Sequence, residues 1–226
     1  MGSTFDAGVV TELAVRRLHP SQDLDAFAVA RDAFVARLRE QQGVGTDREF
    51  AAVFDFASGG APQPPVFIGM TEYDSSSAFA AAGEALGGSP EAAALFATFT
   101  PAVFTALRPL DPTARYDLAD IAGVPGQVLE VASRDLSAYA DFDSATYAVT
   151  RDAFLAALRE EDGFVAEYQW VSALDPHLVV GMTVYADAAA FQGIAASSFV
   201  QSPEYQEFLG TYPPPIGYAS VDARTT

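Results

Sequence analysis

Polar and apolar residues alternate through residues 9–18, read VVTELAVRRL, with Val9, Thr11, Leu13 and Val15 on one face, which is the period of a half-buried strand. Residues 1–8 before it read as a lead-in without a period. His19-Pro20-Ser21 breaks the alternation, and Asp23 is placed to cap a helix that carries Phe27, Phe34 and Leu38 at one-face spacing and stops after Arg39 at Gln41-Gln42-Gly43. Strands are predicted again over 46–56 and 66–73, separated by the loop SGGAPQPP, whose Gly and Pro content suits neither periodic element. Ser75 or Ser76 then starts a short Ala-rich helix. Ser89-Pro90-Glu91 starts another with Pro in its first turn, and 102–107 reads as a closing strand. The predicted order is βαββαβ, a ferredoxin-like unit.

The pattern then restarts. VARDAFVARLRE at 29–40 returns as VTRDAFLAALRE at 149–160, with nine of twelve positions identical at an offset of 120. Gly69-Met70-Thr71 returns as Gly181-Met182-Thr183, Tyr73 as Tyr185, Phe79 as Phe191, and Ser89-Pro90-Glu91 as Ser202-Pro203-Glu204. The offset drops to 112 at the third strand because the tight turn Asp175-Pro176-His177 stands where the first copy has its Gly/Pro loop. Second-copy elements are expected at 128–136 (strand), 143–160 (helix), 163–174, 178–185 and 216–221 (strands). The chain thus reads as a tandem repeat, 8–110 and 127–222, joined by a proline-bearing linker at 111–126. A sheet with helices on one face leaves the other bare, so two such sheets are expected to bury their bare faces together as a barrel within one chain, an intramolecular pseudo-dimer that could pair again.

Charge and composition narrow the partners. Thirty acidic against 12 basic side chains give a formal charge of -18, which disfavours nucleic acid and anionic membrane surfaces. The absence of cysteine removes disulfides, thiolate metal sites and a Cys nucleophile. With neither a targeting pattern nor a long apolar run, the expectation is a soluble cytoplasmic protein.

On these residues (the RDAF helix, the strand ending GMTxY, the aromatic on the following helix and the SPE helix start), each half resembles the dimeric α+β barrel superfamily, most closely its antibiotic biosynthesis monooxygenase-like branch. The resemblance implies two ferredoxin-like repeats forming an α+β barrel. For activity it implies cofactor-independent oxygenation of a small aromatic or enolic substrate, with a non-catalytic small-molecule binding or scaffold role as the alternative. No cofactor and no metal is expected. Haem-degrading and several oxygenase members carry a histidine three residues after the aromatic on the second helix, as axial ligand or base, whereas Ala82 and Ile194 stand there in this chain.

Several residues are candidates for chemistry. Arg31 lies among Phe27, Phe34 and Leu38, and Arg151 among Tyr147, Phe154 and Leu158, so each places a cation in an apolar stripe that needs a buried acid; Asp47 and Glu167 sit at matching strand positions. The functional reading is a substrate-anion site, and the structural reading a repeated ion pair. Tyr73 and Tyr185 are where the resemblance places pocket aromatics, with hydroxyls able to donate to a substrate oxygen, against the alternative of core tyrosines. Trp170, expected on one face with Phe164 and Tyr168, makes the second copy the more aromatic and the expected place for a working pocket. His19 and His177 fall in turns, are unrepeated, and are expected at the surface.

Overall fold

A computed structural model describes residues 8–137 and 144–223. The first strand, β1 (Val10–Leu18), leads through a turn to α1 (Leu24–Arg39), whose N-terminus is capped by the Asp23 carboxylate accepting from the Ala26 N–H at 2.8 Å. Strands β2 (Val44–Asp55) and β3 (Val66–Tyr73) follow, then α2 (Ser76–Leu86), α3 (Pro90–Phe96) and β4 (Phe99–Pro109). Ser75 and Ser89 cap the two short helices, as their positions before the Ala-rich runs predict. The second half repeats the order: β5 (Val128–Asp135), α4 (Ser144–Arg159), β6 (Phe164–Ser172), β7 (Leu178–Tyr185), α5 (Ala188–Ala196), a 3-10 turn at Ser198–Gln201, α6 (Pro203–Thr211) and β8 (Ile216–Asp222). The lead-in at 1–7 and the expected helix start at Asp143 lie outside the described residues. Among those residues, no helix is long and apolar enough to cross a membrane.

The eight strands close into one barrel in the order β1-β3-β2-β8-β5-β7-β6-β4. Each half contributes a four-stranded sheet, and the two join edge to edge, β2 on β8 and β4 on β6. The reason is in the alternation. Leu13, Val15, Ile68 and Met70 from the first sheet and Leu129, Val131, Val180 and Met182 from the second all point inward, where the two apolar faces cover each other.

Residues 111–126, expected as a plain connection, are part of this interior. Leu118 and Ile121 are fully buried against it, and Tyr116 meets Trp170 edge-on at 4.7 Å. Arg48 ties the segment down, donating to the carbonyls of Ile121 (2.7 Å) and Ala122 (2.9 Å) and to Asp222 (2.7 Å), while Glu72 accepts from the Leu118 N–H at 2.8 Å. The segment closes the interior with apolar side chains and meets its own backbone polarity with charged groups of the surrounding strands.

The shared face expected for Trp170, Tyr168 and Phe164 is corrected in one member. A bulge between Phe164 and Ala166 shifts the register, so Tyr168 and Trp170 turn into the barrel while Phe164 packs beneath the helices.

Candidate functional site

The strand residues that point away from the barrel face the helices, and in the first half they leave a cleft of about 570 Å³ between β1, β2 and β3 on one side and α1, α2 and α3 on the other. Its walls are apolar: Phe34, Leu38, Phe79, Leu86, Leu95 and Phe99. Its floor is low where Ala14 pairs with Gly69 across β1 and β3, and the Arg16 guanidinium and Glu49 carboxylate lie over Gly69. Polar groups converge on that floor in two pairs, the pattern of a ligand site.

At one end, the buried Tyr73 hydroxyl donates to Glu12 Oε2 at 2.7 Å. Burial raises the pKa of Glu12, and the Tyr73 hydrogen bond and the charge of Arg16 only partly oppose it. Burial, together with the Glu12 charge, pushes the Tyr73 phenol far above its ordinary range, so it stays a neutral donor. Over Gly69, Arg16 Nη2 donates to Glu49 Oε2 at 2.5 Å, a pair whose side chains are 7 and 10 % exposed. The Arg16 guanidinium lies 5.8 Å from the ring centres of both Phe27 and Phe99. Its Nε and the Oε1 of Glu49 are buried without a partner among the described residues.

Gly69 makes room for this pair. A Cβ there would sit 2.3 Å from Arg16 Nη2, whereas at the matching Gly181 the nearest atom, Gln169 Nε2, would be 3.6 Å away. Gly69→Ala is therefore expected to displace the guanidinium and cost about 1–3 kcal/mol, while Gly181→Ala leaves stability within about 0.5 kcal/mol. Chemical denaturation of the two variants checks the contrast.

The second half keeps half of the arrangement. The Tyr185 hydroxyl donates to Glu130 Oε2 at 2.6 Å, and burial raises both groups as in the first half. Arg134 takes the place of Arg16, but Gln169 stands where Glu49 would be, and no ion pair reaches Arg134 among the described residues. Its guanidinium instead lies 4.8 Å from the Phe208 ring centre, and burial lowers its pKa. The space above is filled. Phe154 stacks on Phe208 at 4.8 Å and meets Phe199 at 5.4 Å and Tyr205 at 6.0 Å.

The structure thus corrects several expectations. The open cleft is in the first half, not the more aromatic second half, because the extra aromatics are what fill the second. Trp170 faces the barrel interior, away from either helix layer. Arg31 and Arg151 do lie along their stripes, over Phe27 at 5.8 Å and Tyr147 at 5.7 Å, but the acids they hold are the exposed neighbours Asp32 and Asp152, with Nη2 contacts of 2.7 and 2.6 Å. Asp47 receives Arg39 at 2.6 Å from Nε, and Glu167 receives Arg159 at 2.9 Å from Nε. The reason is reach: Arg39 and Arg159 end their helices directly above the start of the next strand, whereas Arg31 and Arg151 lie eight residues back, about 12 Å along the axis. Arg31, Asp47 and Tyr73 all line the cleft, and Tyr185 is in the closed counterpart.

Glu12, Arg16 and Glu49 escape a reading by single motifs. Their signal is E-x-x-x-R on both first strands, ELAVR at 12–16 and EVASR at 130–134, which puts acid and base on one strand face twice over. His19 and His177 are exposed, as expected from their turns. Ala82 and Ile194 are buried at the positions where the resemblance would place an imidazole. With the Tyr73 hydroxyl committed to Glu12, the residues lining the cleft do not fit a haem.

A closed eight-stranded barrel built from two βαββααβ halves, with helices outside and the cleft between sheet and helices, is the dimeric α+β barrel fold. An anthrone oxidase-like protein shares it at a TM-score of 0.61, with 8 % identity over 96 % of this chain and 92 % of that one. So do a candidate monooxygenase of Fusobacterium nucleatum (TM-score 0.56, 8 % identity, 96 % of this chain and 93 % of that one) and a chlorite dismutase variant of Candidatus Nitrospira defluvii (TM-score 0.53, 11 % identity, 95 % and 92 %). No protein-family model matches the chain. No curated protein matches it either.

Proposed function

We propose that the first-half cleft binds a flat, largely apolar small molecule, and that its chemistry is oxygenation of an aromatic or enolic substrate by dioxygen without a cofactor. The observation that carries this reading is the cleft itself: about 570 Å³, apolar on its walls, with two polar pairs, Tyr73–Glu12 and Arg16–Glu49, on its floor. Support for the reaction class comes from the neighbours described as a candidate monooxygenase and as anthrone oxidase-like. In such a reaction a methylene carbon of the substrate loses two hydrogens and gains one oxygen atom of O2, and the other oxygen leaves as water. Tyr73 acts through Glu12, which it holds in place. Arg31, half-buried at the edge of the cleft beside an exposed partner, would take an anionic substituent. The walls exclude water from the reacting carbon.

Anthrone is a suitable probe. Mixed with the protein in air, it is expected to give anthraquinone with matching consumption of O2. Ala14→Leu, which raises a side chain from the middle of the floor, is expected to weaken anthrone binding on the order of tenfold or more, equal to about 1.4 kcal/mol. Ala132→Leu, at the matching position beneath the filled half, is expected instead to cost about 1–3 kcal/mol of stability by overpacking. The absence of any histidine from the cleft favours a second reading, binding without chemistry. Anthrone that binds and is not oxidised would select that reading, and anthrone that does not bind would remove both.

A further inference from the structure

We propose that Phe104 sets the specificity of the first-half cleft: its ring is the platform against which an aromatic ring of the ligand packs, so that aromatic compounds are taken in preference to saturated ones of the same skeleton. The inference rests on the reading of this cleft as a small-molecule site, and is independent of the reaction that follows binding.

Strand register places the ring. Across the first sheet one row of paired residues runs Phe104, Ala14, Gly69, Glu49, from β4 through β1 and β3 to β2. The Glu49 end of that row is covered, because the Arg16 and Glu49 side chains lie over Gly69. The Phe104 end is not. Phe104 lines the cleft next to Ala14 and is 52 % exposed, and no ring of the described residues packs against it. A lone exposed phenylalanine on a convex surface is ordinary. This one stands in a concave apolar cleft, and Phe96, the last residue of α3, lines the same cleft and is 48 % exposed. An aromatic pair in an offset or edge-to-face arrangement is held by more than the area it buries, which a saturated ring cannot match.

The second half shows the same position closed. Its row reads Gly217, Ala132, Gly181, Gln169, so a glycine stands where the first half has Phe104. The space over that glycine is taken by Phe56, just past the end of β2: its N–H donates to the Gly217 carbonyl at 3.1 Å, and a Cβ on Gly217 would lie 2.7 Å from its ring. Strand β2 reaches this far because it pairs with β8 as far as Asp55 and Tyr218, whereas β6 ends at Ser172 and pairs only with Leu107, Arg108 and Pro109 of β4. Nothing from the second half therefore does for Phe104 what Phe56 does for Gly217, and an aromatic ligand can supply the missing ring.

Two probes of one skeleton, 2-naphthol and decahydro-2-naphthol, test this when titrated calorimetrically into the whole protein. Phe104→Leu keeps apolar bulk at an exposed position and is expected to lower the ratio of naphthol to decahydronaphthol affinity by about two- to tenfold. Phe104→Trp is expected to keep or raise that ratio, and Phe56→Leu, in the closed half, to leave it as in the wild type. Ala14→Leu, beside Phe104 in the row, is expected to weaken both compounds, as binding in the cleft requires. Thermal melting of each variant shows that the fold is kept. A ratio unchanged in Phe104→Leu, with both affinities kept or both lowered alike, overturns the proposal and leaves the reading of the cleft standing. A wild-type chain that binds neither compound overturns the two together.

Discussion

Arg16→Met is expected to destabilise the protein by about 3–5 kcal/mol, the cost of stripping one partner from a buried ion pair. Glu49 would keep its burial, already has one oxygen without a protein partner, and would lose the donor on the other. The matching change in the second half, Arg134→Met, is expected to cost less than about 1 kcal/mol or to stabilise. Arg134 donates to no carboxylate among the described residues, although its charge acts on the buried Glu130, and its own charge is opposed by the fold, since burial lowers its pKa. A methionine keeps most of the apolar stem that packs near Phe208. Urea denaturation of the two variants at neutral pH measures the difference. Equal losses would mean that the Arg16–Glu49 pair contributes no more than the packing of an arginine stem.

Phe154→Ala is expected to cost about 3–5 kcal/mol and to open a second cleft. Phe154 is the central ring of the second-half filling, in contact with Phe199, Tyr205 and Phe208, and alanine would leave a hole that its neighbours can only partly close. A cavity with such a lining stays dry and accepts apolar guests. Anthrone binding should therefore rise from one to two molecules per chain. Phe34→Ala, the same position in the first half, should cost roughly half as much, because Phe34 borders space that is already empty. Calorimetric titration gives the stoichiometry, and denaturation gives the stability. A variant that loses stability but still binds one molecule would show that the second half collapses onto the gap.

The repeat made the architecture legible before any coordinates. Third strands ending in GMTxY, helix starts at Ser-Pro-Glu and the RDAF helix each recur, so an element read once could be checked against its twin. The strands at 66–73 and 178–185 have the predicted bounds. The site was legible only in part. Tyr73 was named for its position, but its partner Glu12 sits in a strand whose acid and base look like the wet face of an ordinary half-buried strand. What hides them is the second layer: both faces of β1 are covered, one by the barrel interior and one by helices, so polar residues on that strand are buried and must be matched. The arginine partners were misread because helical periodicity gives the direction of a side chain and not its height above the following strand.

Periodicity, turn chemistry and the internal repeat, all local properties of the chain, determined the order of elements, the ferredoxin-like halves and the burial of their bare faces against each other. Only the tertiary structure decided which half stays open. That outcome depends on volumes summed over helices distant in sequence: the alanines and glycines of α2 and α3 leave space above one floor, and Phe154, Phe199, Tyr205 and Phe208 fill it above the other. The role of residues 111–126 was settled in the same way. A segment without a period shows no preference for inside or outside until the barrel around it presents an apolar interior and an arginine to hold its carbonyls.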